Sequence, residues 1–156
     1  MRKNTGFTAF ELAVSLAIIF TIAAVATPPY LKWLRGYRLR GAVTNMMADL
    51  EMAKIRAIRE NSLVAVQFCQ DRYTIFNENG DMTYSCESSG RQIYQDRQLP
   101  AGVKIDLGEL TFANNRTRFN GRGLPAGTIV EERIPIINQT SGQTISLNRL
   151  GYMKVQ

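Results

Sequence analysis

Charged side chains are unevenly spread along this chain. Between Leu12 and Leu31 there are none, a run of about 20 positions that would rise roughly 30 Å as a helix, enough to cross the hydrocarbon core of a bilayer. Nothing later in the sequence resembles it. After Pro29 a second helical pattern runs to about Glu60. Leu39, Val43, Met46, Leu50, Ala53 and Ala57 recur at steps of three and four and so share one face. Arg38, Asp49, Glu51, Lys54, Arg56 and Arg59 are expected mainly elsewhere, and the apolar stripe is expected to pack on the rest of the chain. Beyond Asn61 the pattern shifts to short alternating segments. Leu63–Cys69, Tyr73–Phe76, Thr83–Cys86, Val103–Leu107 and Leu110–Ala113 read as strands, and so do Thr117–Phe119, Thr128–Glu131, Ile134–Ile137, Thr144–Leu147 and Tyr152–Val155. Asn77-Glu78-Asn79-Gly80-Asp81 reads as a turn, Ser88-Ser89-Gly90 as a mobile loop, and Gly and Pro punctuate the later joins. The expected fold is α+β: a long N-terminal membrane-spanning helix continues into an amphipathic helix packed on an antiparallel β-sheet head. The expected segments are 1–6, 7–31, 32–60 and 61–156.

Composition changes this picture little. The chain has 156 residues and a formal charge of +6, from 19 Lys and Arg against 13 Asp and Glu. An excess of that size suits a solvated basic surface, with anionic lipid or nucleic acid as less specific alternatives. There is no histidine, which removes the commonest general base and metal ligand. No Ser-His-Asp set, CxxC or phosphate loop is present, and the carboxylates form no convincing catalytic pair. Neither enzymatic activity nor a cofactor or metal is expected. Cys69 and Cys86 are too few and too far apart for a zinc site. Outside the cytoplasm they would form a disulfide; in a reducing compartment they would be buried thiols.

The N-terminus carries the sharpest motif. Met1-Arg2-Lys3-Asn4-Thr5-Gly6 is basic, and Phe7-Thr8-Ala9-Phe10-Glu11 leads into the apolar run. An ordinary signal peptide has a shorter apolar core followed by a small-residue cleavage site. Here Ala24-Val25-Ala26 is the nearest imitation of such a site, and a plain signal anchor is the other alternative. Glu11 is the unusual residue, since a carboxylate at the head of a membrane helix is costly without a partner. Gly6-Phe7-Thr8-Ala9-Phe10-Glu11-Leu12 resembles the class III leader and N-terminal helix of type IV pilins and type II secretion pseudopilins. Their usual pattern, Gly-Phe-Thr-Leu-Ile-Glu-Leu, differs at Ala9 and Phe10. The resemblance implies that prepilin peptidase cuts between Gly6 and Phe7, and that Phe7 becomes the N-methylated first residue. It also implies that Glu11 neutralises the terminal amine of an adjacent subunit. Pro28 falls where the family commonly bends its helix, as an internal proline can. The implied location is the bacterial inner membrane with a periplasmic head, before incorporation into a filament of pilin subunits. Lys32, Arg35, Arg38 and Arg40 behind the apolar run outnumber Arg2 and Lys3 before it, and counting charges alone favours the opposite orientation.

A softer resemblance covers most of the chain. The helix end Ala53-Lys54-Ile55-Arg56-Ala57-Ile58-Arg59-Glu60-Asn61-Ser62 runs directly into a strand. Phe119-Asn120-Gly121-Arg122-Gly123 and Gly127-Thr128-Ile129 follow later. This order is similar to the GspH/FimT-like branch of minor pilins and minor pseudopilins. It implies a structural subunit that helps to initiate or cap a filament: a minor pilin of a type IV pilus, or a minor pseudopilin of type II secretion. A third reading is DNA uptake, with Arg116, Arg118, Arg122, Arg149 and Lys154 as candidate phosphate contacts. The DNA-binding members carry Gly-Arg-x-Arg near the C-terminus. The comparable Gly151-Tyr152-Met153-Lys154 departs from it at two positions, which weighs against this reading.

Overall fold

A computed structural model describes residues 7–78, 86, 93–126 and 131–156. The chain divides into two compact units, Met1–Leu34 and Arg35–Gln156, and one helix, α1 (Ala9–Glu60), contributes to both.

In the first unit α1 is apolar and uncovered. Its most hydrophobic 18-residue window has a mean hydropathy of 2.3, and none of that window is buried. Three hydroxyl side chains interrupt the apolar surface, and each folds back onto its own helix. Ser15 donates to the Glu11 carbonyl at 2.7 Å, Thr21 to Ala17 at 2.8 Å and Thr27 to Ala23 at 2.7 Å. Such back-bonding leaves no unsatisfied hydroxyl for an apolar solvent to penalise. The helix is continuous through Pro28 and Pro29.

In the second unit the expected stripe is the buried face: Leu39, Val43, Met46, Leu50, Ala53 and Ala57 all lie in the core, joined by Ala42. Asp49 corrects the expectation that it lies elsewhere. It is also on this face, 4 % exposed, and accepts from the Tyr73 hydroxyl at 2.5 Å and from Arg97 Nε at 2.6 Å. Its partners sit on other elements, so the local sequence carried no sign that its burial would be compensated. The helix ends in a Schellman motif. Asn61 adopts φ +45°, its N–H bonds the Ile58 carbonyl, and the Ser62 N–H bonds the Ala57 carbonyl.

Among the described residues the strands are β1 (Val64–Phe68), β2 (Arg72–Asn77), β3 (Ile93–Gln98), β4 (Lys104–Ile105), β5 (Arg116–Phe119), β6 (Glu131–Ile137), β7 (Gly142–Asn148) and β8 (Met153–Val155). They form two antiparallel sheets, ordered β3-β2-β1-β5 and β4-β6-β7-β8. One continuous core joins α1 to both sheets, through Val64, Val66, Phe68, Tyr73, Ile75 and Phe119 of the first and Ile134, Ile136, Ile145 and Leu147 of the second. Cys69, just past β1, is disulfide-bonded to Cys86, with a Cα–Cα separation of 6.0 Å.

Two elements differ from expectation. Ile93–Gln98 is a strand, although Ile-Tyr-Gln-Asp-Arg-Gln lacks apolar alternation. It is a sheet edge with mostly solvated side chains, and its pairing to β2 supplies the order. Leu110–Ala113 is not a strand. Its chain runs into a short 3₁₀ turn, Ala113–Asn115, where Asn114 and Asn115 have φ of +56° and +54°. Phe112 there plugs the core against Phe68, with ring centroids 5.5 Å apart. Gly6, the Asn79-Gly80-Asp81 part of the expected turn, Thr83–Ser85 of the expected Thr83–Cys86 strand, the Ser88-Ser89-Gly90 loop, Gly127 and Thr128–Val130 lie outside the described residues; Cys86 itself lies in a turn.

Candidate functional site

Two regions carry the residues singled out from the sequence. The first is the start of α1. Thr8 is the N-cap and Glu11 the third helical residue, the Thr-x-x-Glu spacing of a capping box. The Glu11 N–H donates to Thr8 Oγ1 at 3.3 Å. Glu11 Oε2 in turn accepts from both the N–H and the hydroxyl of Thr8 at 2.9 Å. The carboxylate of a single chain therefore has a local partner, and its other oxygen makes none of these bonds. Phe7, next to this box, is 88 % exposed.

The second region is the far end of α1, where two loops dock. Asn120-Gly121-Arg122-Gly123-Leu124 and Asn148-Arg149-Leu150-Gly151-Tyr152 have the same construction. In each the asparagine Oδ1 accepts from the N–H groups two and four positions on, at 2.9 and 3.1 Å in the first and 3.0 and 2.9 Å in the second. In each the glycine donates its N–H to the asparagine carbonyl, at 2.8 and 2.9 Å. Each asparagine N–H also closes the loop onto the fifth residue's carbonyl, at 3.0 and 3.1 Å. Gly123 and Gly151 have φ of +74° and +75°, a conformation that other L-residues adopt at a cost. These twin turns lie side by side: a Cβ on Gly151 would sit 3.0 Å from the Gly123 carbonyl oxygen. Both glycines are buried against Lys54, whose Nζ donates to the Gly151 carbonyl at 3.0 Å. A Cβ on Gly123 would also meet Ile58 Cδ1 at 2.6 Å, and one on Gly121 would meet Asn61. The glycines thus set both a turn and a close approach to the helix. Asn-x-x-Gly recurring at these two places was the sequence signal, and it is visible without any structure.

A family model described as type II transport protein GspH matches residues 42–151, a span holding the first of the twin turns, the second as far as Gly151, and the buried stripe of α1 from Ala42 onward. The chain belongs to the GspH family. Two crystal structures of the type IV minor pilin FimU of Pseudomonas aeruginosa PAO1 share its fold. Their TM-scores are 0.59 and 0.57 at 13 % identity, covering 80 % and 76 % of this chain and 92 % of FimU. The minor pseudopilin EpsH of the type 2 secretion system of Vibrio cholerae is likewise similar, at TM-score 0.55 and 13 % identity, covering 76 % of this chain and 96 % of EpsH. No curated protein matches the chain by sequence.

In this GspH-family head the five basic candidates do not converge. Arg116 is internal: its side chain is 7 % exposed, pairs with Glu78 at 2.5 Å and bonds Gln67 at 3.1 Å. Arg118 approaches the other oxygen of the same glutamate at 3.7 Å. Arg122 and Arg149 are exposed on the adjacent twin turns, and Lys154 is exposed on β8, opposite Ser146. Of the five, Arg122 and Arg149 are carried by neighbouring turns. Two buried groups titrate abnormally. Burial, together with the bond to the Asp49 carboxylate, pushes the Tyr73 hydroxyl far above the usual tyrosine range. Burial pushes the Glu132 carboxyl up, opposed by Thr117 and the charge of Arg118.

Proposed function

We propose that this chain is a minor pilin, a structural subunit that helps to initiate a type IV filament. The observation that supports it best is an uncovered apolar helix, headed by one capped carboxylate, on a GspH-family head. Such a surface calls for lipid before assembly and for other apolar helices afterwards. In this reading prepilin peptidase removes residues 1–6 at the inner membrane, Phe7 is N-methylated, and the freed amine of one subunit meets Glu11 of another. The amine would bind the oxygen that Thr8 leaves unused, so the local cap and the intersubunit pair are compatible.

Intact mass tests the processing. Loss of Met1–Gly6 with one added methyl group is expected, and an uncut chain or a cut near Ala26 would sink it. A deletion strain tests the system. Loss of twitching with normal exoprotein release is expected. The reverse pattern would make the chain a minor pseudopilin of type II secretion. The adjacent exposed Arg122 and Arg149 keep a DNA-binding reading in view. A gel-shift titration at rising salt tests it, and no shift at low salt removes it.

A further inference from the structure

The chain enters its second unit at Arg35, the fourth residue after the charge-free run ends at Leu31. Three segments meet at that end of the unit. The Asn138 side chain, on the turn between β6 and β7, donates to the Arg35 carbonyl at 3.0 Å. The Arg38 guanidinium reaches the Ala101 carbonyl at 3.5 Å, on the turn that leads into β4. β4 in turn pairs Lys104 with Ile137, the neighbour of Asn138. Arg35, Arg38, Arg40 and Lys104 are all exposed here. Residues 35–48, 100–105 and 137–142, which build this end, include no Asp or Glu. None of the four cations pairs with a carboxylate among the described residues, whereas Arg72, Arg97, Arg116 and Arg133 elsewhere in the unit each do. Like charges gathered without counter-ions repel one another, and an anionic partner removes that cost.

We propose that this end of the head docks on anionic phospholipid headgroups, with Arg35, Arg38, Arg40 and Lys104 meeting the phosphates. Two observations favour a lipid surface over other polyanions. The chain reaches this face directly from a run long enough to cross a bilayer, so the first charged residues after it lie at headgroup depth. Tyr30, Trp33 and Tyr37 fall in the same stretch, and Tyr37 is 60 % exposed; amphipathic rings of this kind collect at the membrane–water interface. The docking also gives a role to basic residues that the charge rule alone would put on the opposite side of the membrane. It rests on the reading of the apolar run as a membrane span, and not on which filament the chain enters.

The test uses the full chain in phosphatidylcholine bicelles, labelled with ¹⁵N at arginine Nε, with rising amounts of phosphatidylglycerol. Saturable shifts of Arg35, Arg38 and Arg40 are expected, with Arg122 and Arg149 at the far end of α1 unmoved. Arg40→Gln should raise the half-saturating phosphatidylglycerol about fivefold, read on Arg35 and Arg38, the equivalent of roughly 1 kcal/mol for one cation. Arg40→Lys should restore it, because the attraction is to charge. No saturable shift, or equal shifts at Arg122 and Arg149, overturns the proposal. So does tighter binding of a single-stranded oligonucleotide at the same three arginines, which would assign a nucleic-acid surface instead. Quenching of Trp33, the sole tryptophan, by brominated acyl chains reports insertion separately. A quenched Trp33 without arginine shifts defeats the headgroup site alone. An unquenched Trp33 removes the membrane span and the proposal with it.

Discussion

Replacing Asp49 by alanine takes the only carboxylate out of the buried face of α1. The Tyr73 hydroxyl loses its 2.5 Å acceptor while its ring stays about 1 % exposed, and a buried orphan hydroxyl costs about 1–3 kcal/mol. Arg97 loses bonds of 2.6 and 3.3 Å, but its side chain is 40 % exposed and recovers water, so its loss is discounted to about 1 kcal/mol or less. The sum is a destabilisation of about 1–4 kcal/mol. Asp49→Asn keeps an acceptor of the same shape and should cost about half as much. Urea unfolding of the full chain in micelles, followed by far-ultraviolet circular dichroism, measures both. Adding Tyr73→Phe to Asp49→Ala removes the orphan. The double variant should therefore be no less stable than Asp49→Ala alone, with a coupling of at least about 0.5 kcal/mol. A cost below about 0.5 kcal/mol for Asp49→Ala, the range of an ordinary surface change, would refute the reasoning.

Tyr73 also predicts an alkaline limb. Its hydroxyl is held neutral in the folded chain by burial and by Asp49, so the unfolded chain loses that proton first. Stability should fall as pH rises above about 10, and Tyr73→Phe should flatten that limb in urea midpoints. Glu132 has the same sign at lower pH: its carboxyl is raised by burial, so its contribution is full below the unfolded value and is lost as pH climbs through the folded one. Glu132→Gln should therefore gain stability relative to the unaltered chain as pH rises above about 4, read by the same titration. Gly151→Ala should cost about 2–3 kcal/mol, because φ of +75° is strained for alanine and the Gly123 carbonyl at 3.0 Å is backbone that cannot yield. Gly123→Ala should cost less, since the terminal methyl of half-exposed Ile58 can move aside. Reducing Cys69–Cys86 should lower the stability of the head by about 3 kcal/mol, measured by urea unfolding with and without dithiothreitol.

The parts of the fold written in local periodicity were readable from the sequence. Leu39 through Ala57 sit on one helical face because a 3.6-residue repeat leaves them no other place, and most strands carried alternation or Gly and Pro boundaries. What was not legible depends on partners far along the chain. Asp49 is buried only because Tyr73 and Arg97 come to it from β2 and β3. β3 is ordered by pairing to β2, and its own residues do not suggest a strand. Leu110–Ala113 has strand composition, but Asn114 and Asn115 turn left-handed just beyond it. The site divides the same way. The Thr8–Glu11 spacing and the glycines at 121 and 123 stood in the sequence, whereas Arg116 looked like surface charge until Glu78 and Gln67 enclosed it.

The twin turns tie these threads to the family. This head ends its long helix at Glu60 and starts its sheet at Val64, which leaves the last turn of the helix in need of cover. Asn61 closes that turn by its own left-handed conformation. Gly121 then fits against Asn61, Gly123 against Ile58 and Lys54, and Gly151 against Gly123, each at a distance where a side chain would intrude. Lys54 locks the stack by donating to Gly151. Glycines that would read in isolation as tight turns are thus also a packing device. The same device sets two arginine-bearing loops side by side. Changing Gly151 should therefore displace the neighbouring turn as well as its own, whereas changing the exposed Arg122 should leave the stack intact.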